Sequence, residues 1–290
     1  MSMQVAETGD RSVEVVELDS LRVRLRIRGY PVVFVNAIRR TVLSDVPTMA
    51  VDYAYIFDNT TAVYDEMVAH RLGLVVLDSN EAVEKYRRPE ECAGKEPSEE
   101  DCFVEVSLEA EVDAEGETGR YITAGDLSIS DPQVKPVYPE TPLIYVAPGQ
   151  RIHVQAFARL GRGKEHTKWS PASLSVLRYT PILIYDSSKA GDECLECLSA
   201  YPQVVEALKS GGKGSLVLEG LRRTSGLRYC AETACRGAVE VRYDSSNLDL
   251  EVESTGALRP EKIVELAIRE LEEKVKRFAE AVESVGVEES

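Results

Sequence analysis

The sequence has no apolar run approaching the roughly 20 residues that a bilayer-spanning helix needs. Its start, MSMQVAETGDRSVEV, lacks the apolar core of a secretory leader. A soluble cytoplasmic protein without membrane contact is the expectation. Basic side chains are in deficit: 34 Lys and Arg face 50 Asp and Glu, a formal net charge of −16. A surface of that sign repels polyanions, and duplex binding needs a clustered basic face, so no direct nucleic-acid binding is expected. Six cysteines in 290 residues do not make a small disulfide-built secreted scaffold. Gly211-Gly-Lys-Gly214 lacks the Walker spacing and a flanking hydrophobic strand, which argues against phosphate binding. The most informative stretch, Asn36 to Leu77, holds no nucleophile–base pair, phosphate loop or complete metal site. These absences point to a surface that holds other proteins.

What is present is ordinary for a globular chain: 43% hydrophobic and 29% charged residues. Val13–Leu18 and Leu21–Arg28 read as paired strands. In the second, Leu21, Val23, Leu25 and Ile27 alternate with Arg22, Arg24, Arg26 and Arg28, which puts the arginines outside, solvated or facing an acidic partner. Phe34–Val46 reads as a helix with Val35, Ile38, Val42 and Val46 on one stripe, Asn36 near its start as a cap and Pro47 as its stop. Arg39 and Arg40 diverge by about 100° on that helix and cannot both face a core. A guanidinium fork suits a carboxylate across an interface, and two solvated arginines are the plainer reading. Met49–Phe57 alternates as a strand. Ala62–Leu72 forms a second helix that Gly73 ends in a left-handed exit, and Leu74–Leu77 is a short strand. Cys102–Val112 and Ile152–Ala158 alternate, Asp113–Gly119 is an acidic turn, and Asp131–Gly149 is extended by five prolines. Pro260–Val285 is the strongest helix, with Ile263, Ala267, Leu271, Val275, Phe278 and Val282 as a stripe longer than a small domain covers. Part of that stripe is expected to face another subunit.

Three motifs carry a family resemblance. They are Asn36-Ala-Ile-Arg-Arg40 with Asp65-Glu66 and His70-Arg-Leu-Gly-Leu74; Gly161-Arg-Gly-Lys-Glu-His-Thr-Lys-Trp-Ser-Pro171; and Glu253-Ser-Thr-Gly-Ala-Leu-Arg-Pro260 leading into the last helix. In this order, over nearly the whole chain, they resemble the D-type subunits of archaeal DNA-directed RNA polymerase, a family related to the bacterial alpha N-terminal domain and the eukaryotic third-largest subunit. The chain departs from the family at Val76, where a proline is usual. The resemblance implies an α/β (α+β) fold with an alpha-type dimerisation domain at 1–74, 164–186 and 237–290. It implies an all-β insert at 75–163 and a degenerate ferredoxin-like insertion at 187–236. The implied role is assembly of a DNA-directed RNA polymerase, a nucleotidyltransferase complex whose magnesium belongs to the large subunits, with no catalytic residue here. The implied partners are subunit L, small subunits N and P, and the two large catalytic subunits. The partner-binding candidates are Asn36, Ile38, Arg39, Arg40, Val42 and Leu43 on the first helix, and Ile263, Ala267, Leu271, Val275, Phe278 and Val282 on the last. With the family in view, Arg39 and Arg40 are read as contacts to a large subunit.

Many members carry iron–sulfur clusters at the position of Asp186–Arg236. Here Cys194-Leu-Glu-Cys197 is followed by Ala200 where the ferredoxin spacing needs a third cysteine, and Cys230 and Cys235 stand at an atypical gap. Three readings stay open: a remnant with thiols free or joined as disulfides, a four-thiolate zinc site from Cys194, Cys197, Cys230 and Cys235, or a residual iron–sulfur cluster. The first is preferred, with no cofactor assigned; the others make an iron–sulfur or zinc protein with a redox or sensing role the alternative function. Cys92 and Cys102 alone do not fill a tetrahedral site. His166, Lys168 and Trp169 form a packed structural loop rather than a general-base site, with Trp169 as a core or interface anchor. His70 is expected in a core or interface.

Overall fold

The structure, a computed structural model, describes residues 11–115 and 118–287. The first ten residues, Gly116-Glu117 of the acidic turn, and the last three residues of the 237–290 segment lie outside the described residues. The fold is mixed α and β. Its strands are β1 (Ser12–Leu18), β2 (Arg22–Arg28), β3 (Pro47–Asn59), β4 (Phe103–Glu111), β5 (Arg120–Thr123), β6 (Ser128–Ile129), β7 (Pro142–Val146), β8 (Arg151–Arg162), β9 (Ala172–Asp186), β10 (Lys213–Val217) and β11 (Val239–Ser254). Its helices are α1 (Val32–Ser44), α2 (Asp65–Gly73), α3 (Ala82–Lys85), α4 (Asp192–Cys197), α5 (Pro202–Ser210), α6 (Ser225–Glu232) and α7 (Pro260–Val287). The described chain forms two compact units, one from 11–17, 24–36 and 176–251, the other from 18–23, 37–175 and 252–287.

The first unit carries most of a five-stranded sheet ordered β1-β2-β11-β9-β10. β2 is thus an interior strand, and that decides the fate of its arginines. Arg26 is buried and reaches Glu219 at 3.0 Å and Asp249 at 3.3 Å. Arg28 reaches Glu219 at 3.1 Å and Glu14 at 3.3 Å. The stripe expected to be solvated or to meet a partner is here matched by the chain's own carboxylates, because a guanidinium taken out of water needs them close by. Residues 187–236 fold as α4, α5, the edge strand β10 and α6 over a core of Leu183, Leu198, Val204, Leu208, Leu218 and Leu227. Pro202 opens α5 at a first-turn position, where its missing N–H costs nothing.

The second unit holds an antiparallel sheet ordered β3-β8-β4-β6 and the pair β5-β7. Alternation buries Val104, Val106 and Leu108 on β4 and Ile152, Val154 and Ala156 on β8, packed with Leu72, Ile122 and Ile144. β3 changes phase. Val51 faces Ala158 and Tyr53 faces Phe157, so Asp52 is an extra residue. Such a bulge re-aims the strand: Met49 and Val51 are buried before it, while Tyr53, Tyr55 and Phe57 are exposed after it. β3 lies ahead of the boundary expected at 74, yet it pairs along its length with β8 of 75–163. Strand pairing therefore runs across that boundary.

Local expectations need four corrections. α1 begins at Val32 because the Pro31 carbonyl already accepts the Phe34 and Val35 N–H groups, so Asn36 sits inside the helix rather than capping it. The Val-rich start would favour a strand by propensity, and burial of Val35 overrides it. Gly73 is not among the glycines with positive φ, and Leu74 beyond it stays right-handed. Residues 74–77 make a single bridge, Leu77 to Pro136, rather than a strand.

Candidate partner-binding surfaces

α7 has two halves with different surroundings. Pro260 and Glu261 suit its first turn sterically and electrostatically. Ile263, Val264, Leu266, Ala267 and Glu270 are then buried. Three polar residues hold the helix at its middle. Glu270 meets Arg162 at 2.8 Å, Glu273 pairs with Arg88, and Lys274 meets Asp45 at 2.7 Å. Arg162 is itself 2% exposed, also pairs with Glu90 at 2.8 Å, and donates to the Asp45 carbonyl. Burial works against the Asp45 carboxylate, but hydrogen bonds from Lys274 and Ser44 outweigh it and hold its pKa below the ordinary value. Beyond Lys274 the polar contacts among the described residues stay within the helix, Lys276 to Glu272 and Ser284 to the Ala281 carbonyl. Val275, Phe278 and Val282 are 61, 72 and 56% exposed there. With half-buried Leu271 they follow a 4-3-4 spacing, the seam that a second helix fills.

Helix α1 corrects the expected assignment. Ile38 and Val42 are buried, with Val35 and Val46, inside this chain, so they support the helix rather than offer a face. Ile263 and Ala267 of α7 are core residues in the same way. What α1 leaves exposed is Val33, 77% exposed, with Phe34 and Arg40, while Asn36 and Leu43 are half-buried. Arg39 donates to the Ser175 carbonyl at 3.4 Å, so the two arginines diverge as the helical turn demands. The stripe of α1 does not include the exposed Val33 and Phe34, because a period locates an apolar face without saying what covers it.

The loop after β8 is built around Trp169, which is 3% exposed. Its indole N–H donates to the Arg159 carbonyl at 3.2 Å. The Arg159 guanidinium lies 4.5 Å and the Lys168 ammonium 4.2 Å from its ring centroid. Both cations also hold Asp52, at 2.7 and 2.8 Å. Burial opposes that carboxylate's charge, but the hydrogen bonds from Lys168 and Arg159 prevail and lower its pKa. A Cβ on Gly161 would stand 2.3 Å from the indole, and one on Gly163 would stand 2.0 Å from the Leu43 carbonyl oxygen, so both positions require glycine. His166 accepts from the Lys168 N–H at 3.1 Å. His70 is exposed rather than in a core, and with His166 and Lys168 it lines a cleft of about 180 Å3.

The insertion cysteines pair as Cys194–Cys235 and Cys197–Cys230, and Cys92 pairs with Cys102. Cys194 and Cys197 stand one turn apart on α4, and their partners lie on and just after α6. Sulfurs joined in this way are not the thiolates that a zinc ion or an iron–sulfur cluster takes as ligands.

Known proteins match the chain along most of its length. The family model described as the RNA polymerase Rpb3/RpoA insert domain matches residues 54–177, which span β3 to β9. The chain is 33% identical over 258 residues to the DNA-directed RNA polymerase subunit Rpo3 of Methanothermobacter thermautotrophicus, covering 88% of this chain and 93% of that one. It is 30% identical to the subunit Rpo3 of Pyrobaculum arsenaticum, over 92% of this chain and 95% of that one. With the subunit Rpo3 of Pyrococcus furiosus it shares 38% identity over 60% of this chain and 62% of that one.

Proposed function

The chain belongs to the DNA-directed RNA polymerase subunit Rpo3 family, and from that premise we propose that it is the D-type assembly subunit of a cytoplasmic archaeal-type RNA polymerase. Its work is to hold other subunits, not to carry out nucleotidyl transfer. The observation that carries this reading is the distal half of α7, where Val275, Phe278 and Val282 lie open in one seam. Burying such side chains contributes roughly 1.5–3 kcal/mol each, which a partner helix would supply. The partner assigned to that seam, and to Val33 and Phe34 of α1, is the smaller subunit L. Arg40 is assigned to a carboxylate on a large subunit, and subunits N and P complete the platform. We assign no cofactor and no catalytic residue.

Co-expression with a subunit L and light scattering on the purified mixture tests the reading. A one-to-one complex is expected with the native chain and its loss with Val275→Glu/Phe278→Glu. Both sites are exposed, so the variant's own unfolding free energy should move by no more than about 1 kcal/mol. Undiminished complex formation by the variant would overturn the assignment.

A further inference from the structure

The outer face of the β3-β8-β4-β6 sheet carries two rows of side chains that the assembly reading does not use. β3 contributes Tyr53, Tyr55 and Phe57, which are 41, 48 and 63% exposed. Two lean edge to face on neighbouring rings, Tyr53 on Phe103 with centroids 5.8 Å apart and Tyr55 on Phe157 at 6.0 Å, and Phe57 is tilted against His153 at 5.1 Å. The second row is acidic. On β4, Glu105 stands opposite Phe157 and Glu109 opposite His153, and both are exposed. Glu105 accepts a hydrogen bond from Gln155 at 2.7 Å. Among the described residues no lysine or arginine pairs with Glu105 or Glu109, whereas Asp52 on β3 of the same sheet is held by Arg159 and Lys168.

This face runs into a groove of about 730 Å3 lined by Phe103, Phe157, Tyr86, Glu100 and Glu105. The two cations at its wall are already engaged, Lys85 with Asp131 at 2.7 Å and Arg87 with Asp101 at 2.7 Å. What remains facing outward is aromatic rings beside uncompensated carboxylates. Ring faces attract cations, arginine above all, and carboxylates accept the guanidinium fork. A polyanion is repelled by the same carboxylates.

We propose that this face binds an extended segment of a partner protein that carries arginine or lysine at alternate positions. Side chains of a strand point to one side at every second residue. The exposed positions of β3 and β4 are spaced by the same period, so alternate cations would fall between the aromatic and acidic rows. The intervening side chains would point away. The site uses no residue of α1 or α7, so it stands or falls apart from the assembly reading.

The test is fluorescence anisotropy of a labelled octapeptide alternating arginine and valine, added to the full chain. Saturable binding is expected. Tyr55→Ser/Phe57→Ser and Glu105→Gln/Glu109→Gln should each weaken it by about tenfold, the ratio that 1.4 kcal/mol produces. Glu280→Gln/Glu283→Gln on α7 changes net charge equally and should leave it unchanged. An alternating glutamate–valine peptide should not bind. Melting curves of each variant establish that it is folded. Equal weakening by the α7 pair would reduce the effect to general attraction by an acidic chain and overturn the site. So would undiminished binding by the folded face variants. Concentration-dependent self-association that Tyr55→Ser/Phe57→Ser removes would give the face to a second copy of this chain and overturn it as well.

Discussion

At Arg162 a guanidinium that is 2% exposed sits between Glu270, itself buried, and Glu90, half in solvent. Two charges at this depth differ from a pair on the surface. Removing one leaves the other without its counter-charge in a place water does not reach. Glu270→Gln is expected to cost about 3 kcal/mol in urea unfolding. Glu273→Gln, which breaks the more exposed pair with Arg88, is expected to cost about 1 kcal/mol or less. Equal losses would mean that Arg162 is solvated in the native chain. Three paired carboxylates also set an acid limit. Asp45, Asp52 and Glu90 have folded pKa values below their ordinary ones: burial opposes each charge, but hydrogen bonds from Lys274, from Lys168 and Arg159, and from Arg162 prevail. A lowered folded pKa gives stability that is full above the unfolded value and is lost as pH falls through the folded one. The urea midpoint should therefore hold near neutrality and drop as pH falls below the ordinary carboxylate range, about pH 4. Asp52→Asn should flatten part of that slope.

Among the helices, α7 changes its environment along its length. Buried through Glu270 and tied by Glu273 and Lys274, it then runs on for 13 residues, about 20 Å, to Val287. A helix without tertiary packing opens locally at little cost. Amides near 263–271 should thus exchange slowly with deuterium and those near 276–284 quickly. Slow exchange should spread to the second group when a partner helix covers Phe278. Uniform slow exchange in the isolated chain would show that the seam is already closed. How much of this was legible in the sequence depends on the range of the cause. The stripe of α7, the alternation of β2, β4 and β8, and the glycine-flanked Trp169 loop follow from periods and residue types within one segment. The neutralised arginines of β2 follow from Glu219 and Asp249, far along the chain, and from an interior place in the sheet that period two does not reveal. For the same reason Ile38, Val42, Ile263 and Ala267 look like interface positions in sequence and are core: a stripe records that something apolar covers it, not whether this chain supplies the cover. The bulge at Asp52, which turns Tyr53, Tyr55 and Phe57 outward, is visible only once β8 is placed beside β3.

Taken as a whole, the chain gives its two units different means of stability. The second has the large core behind β3, β4 and β8, and it holds the sole tryptophan, buried against Gly161 of β8. The helices of 187–236 have a smaller core, and the bonds Cys194–Cys235 and Cys197–Cys230 run through it with sequence separations of 41 and 33. Closing loops of that length restricts the unfolded chain enough to contribute about 4 kcal/mol each on the loop-entropy model. Cys197→Ser/Cys230→Ser should therefore lower the denaturant midpoint of the helical circular-dichroism signal more than that of Trp169 fluorescence, because the tryptophan lies in the other unit. Equal shifts would mean that the crosslink stabilises the chain as one cooperative body. Thiol titration of the unfolded, unreduced chain decides the chemistry beneath this prediction. The three disulfides leave no thiol to react until reductant is added. Four reactive thiols at the insertion would remove the crosslinks from the argument and make Cys194, Cys197, Cys230 and Cys235 a ligand set again.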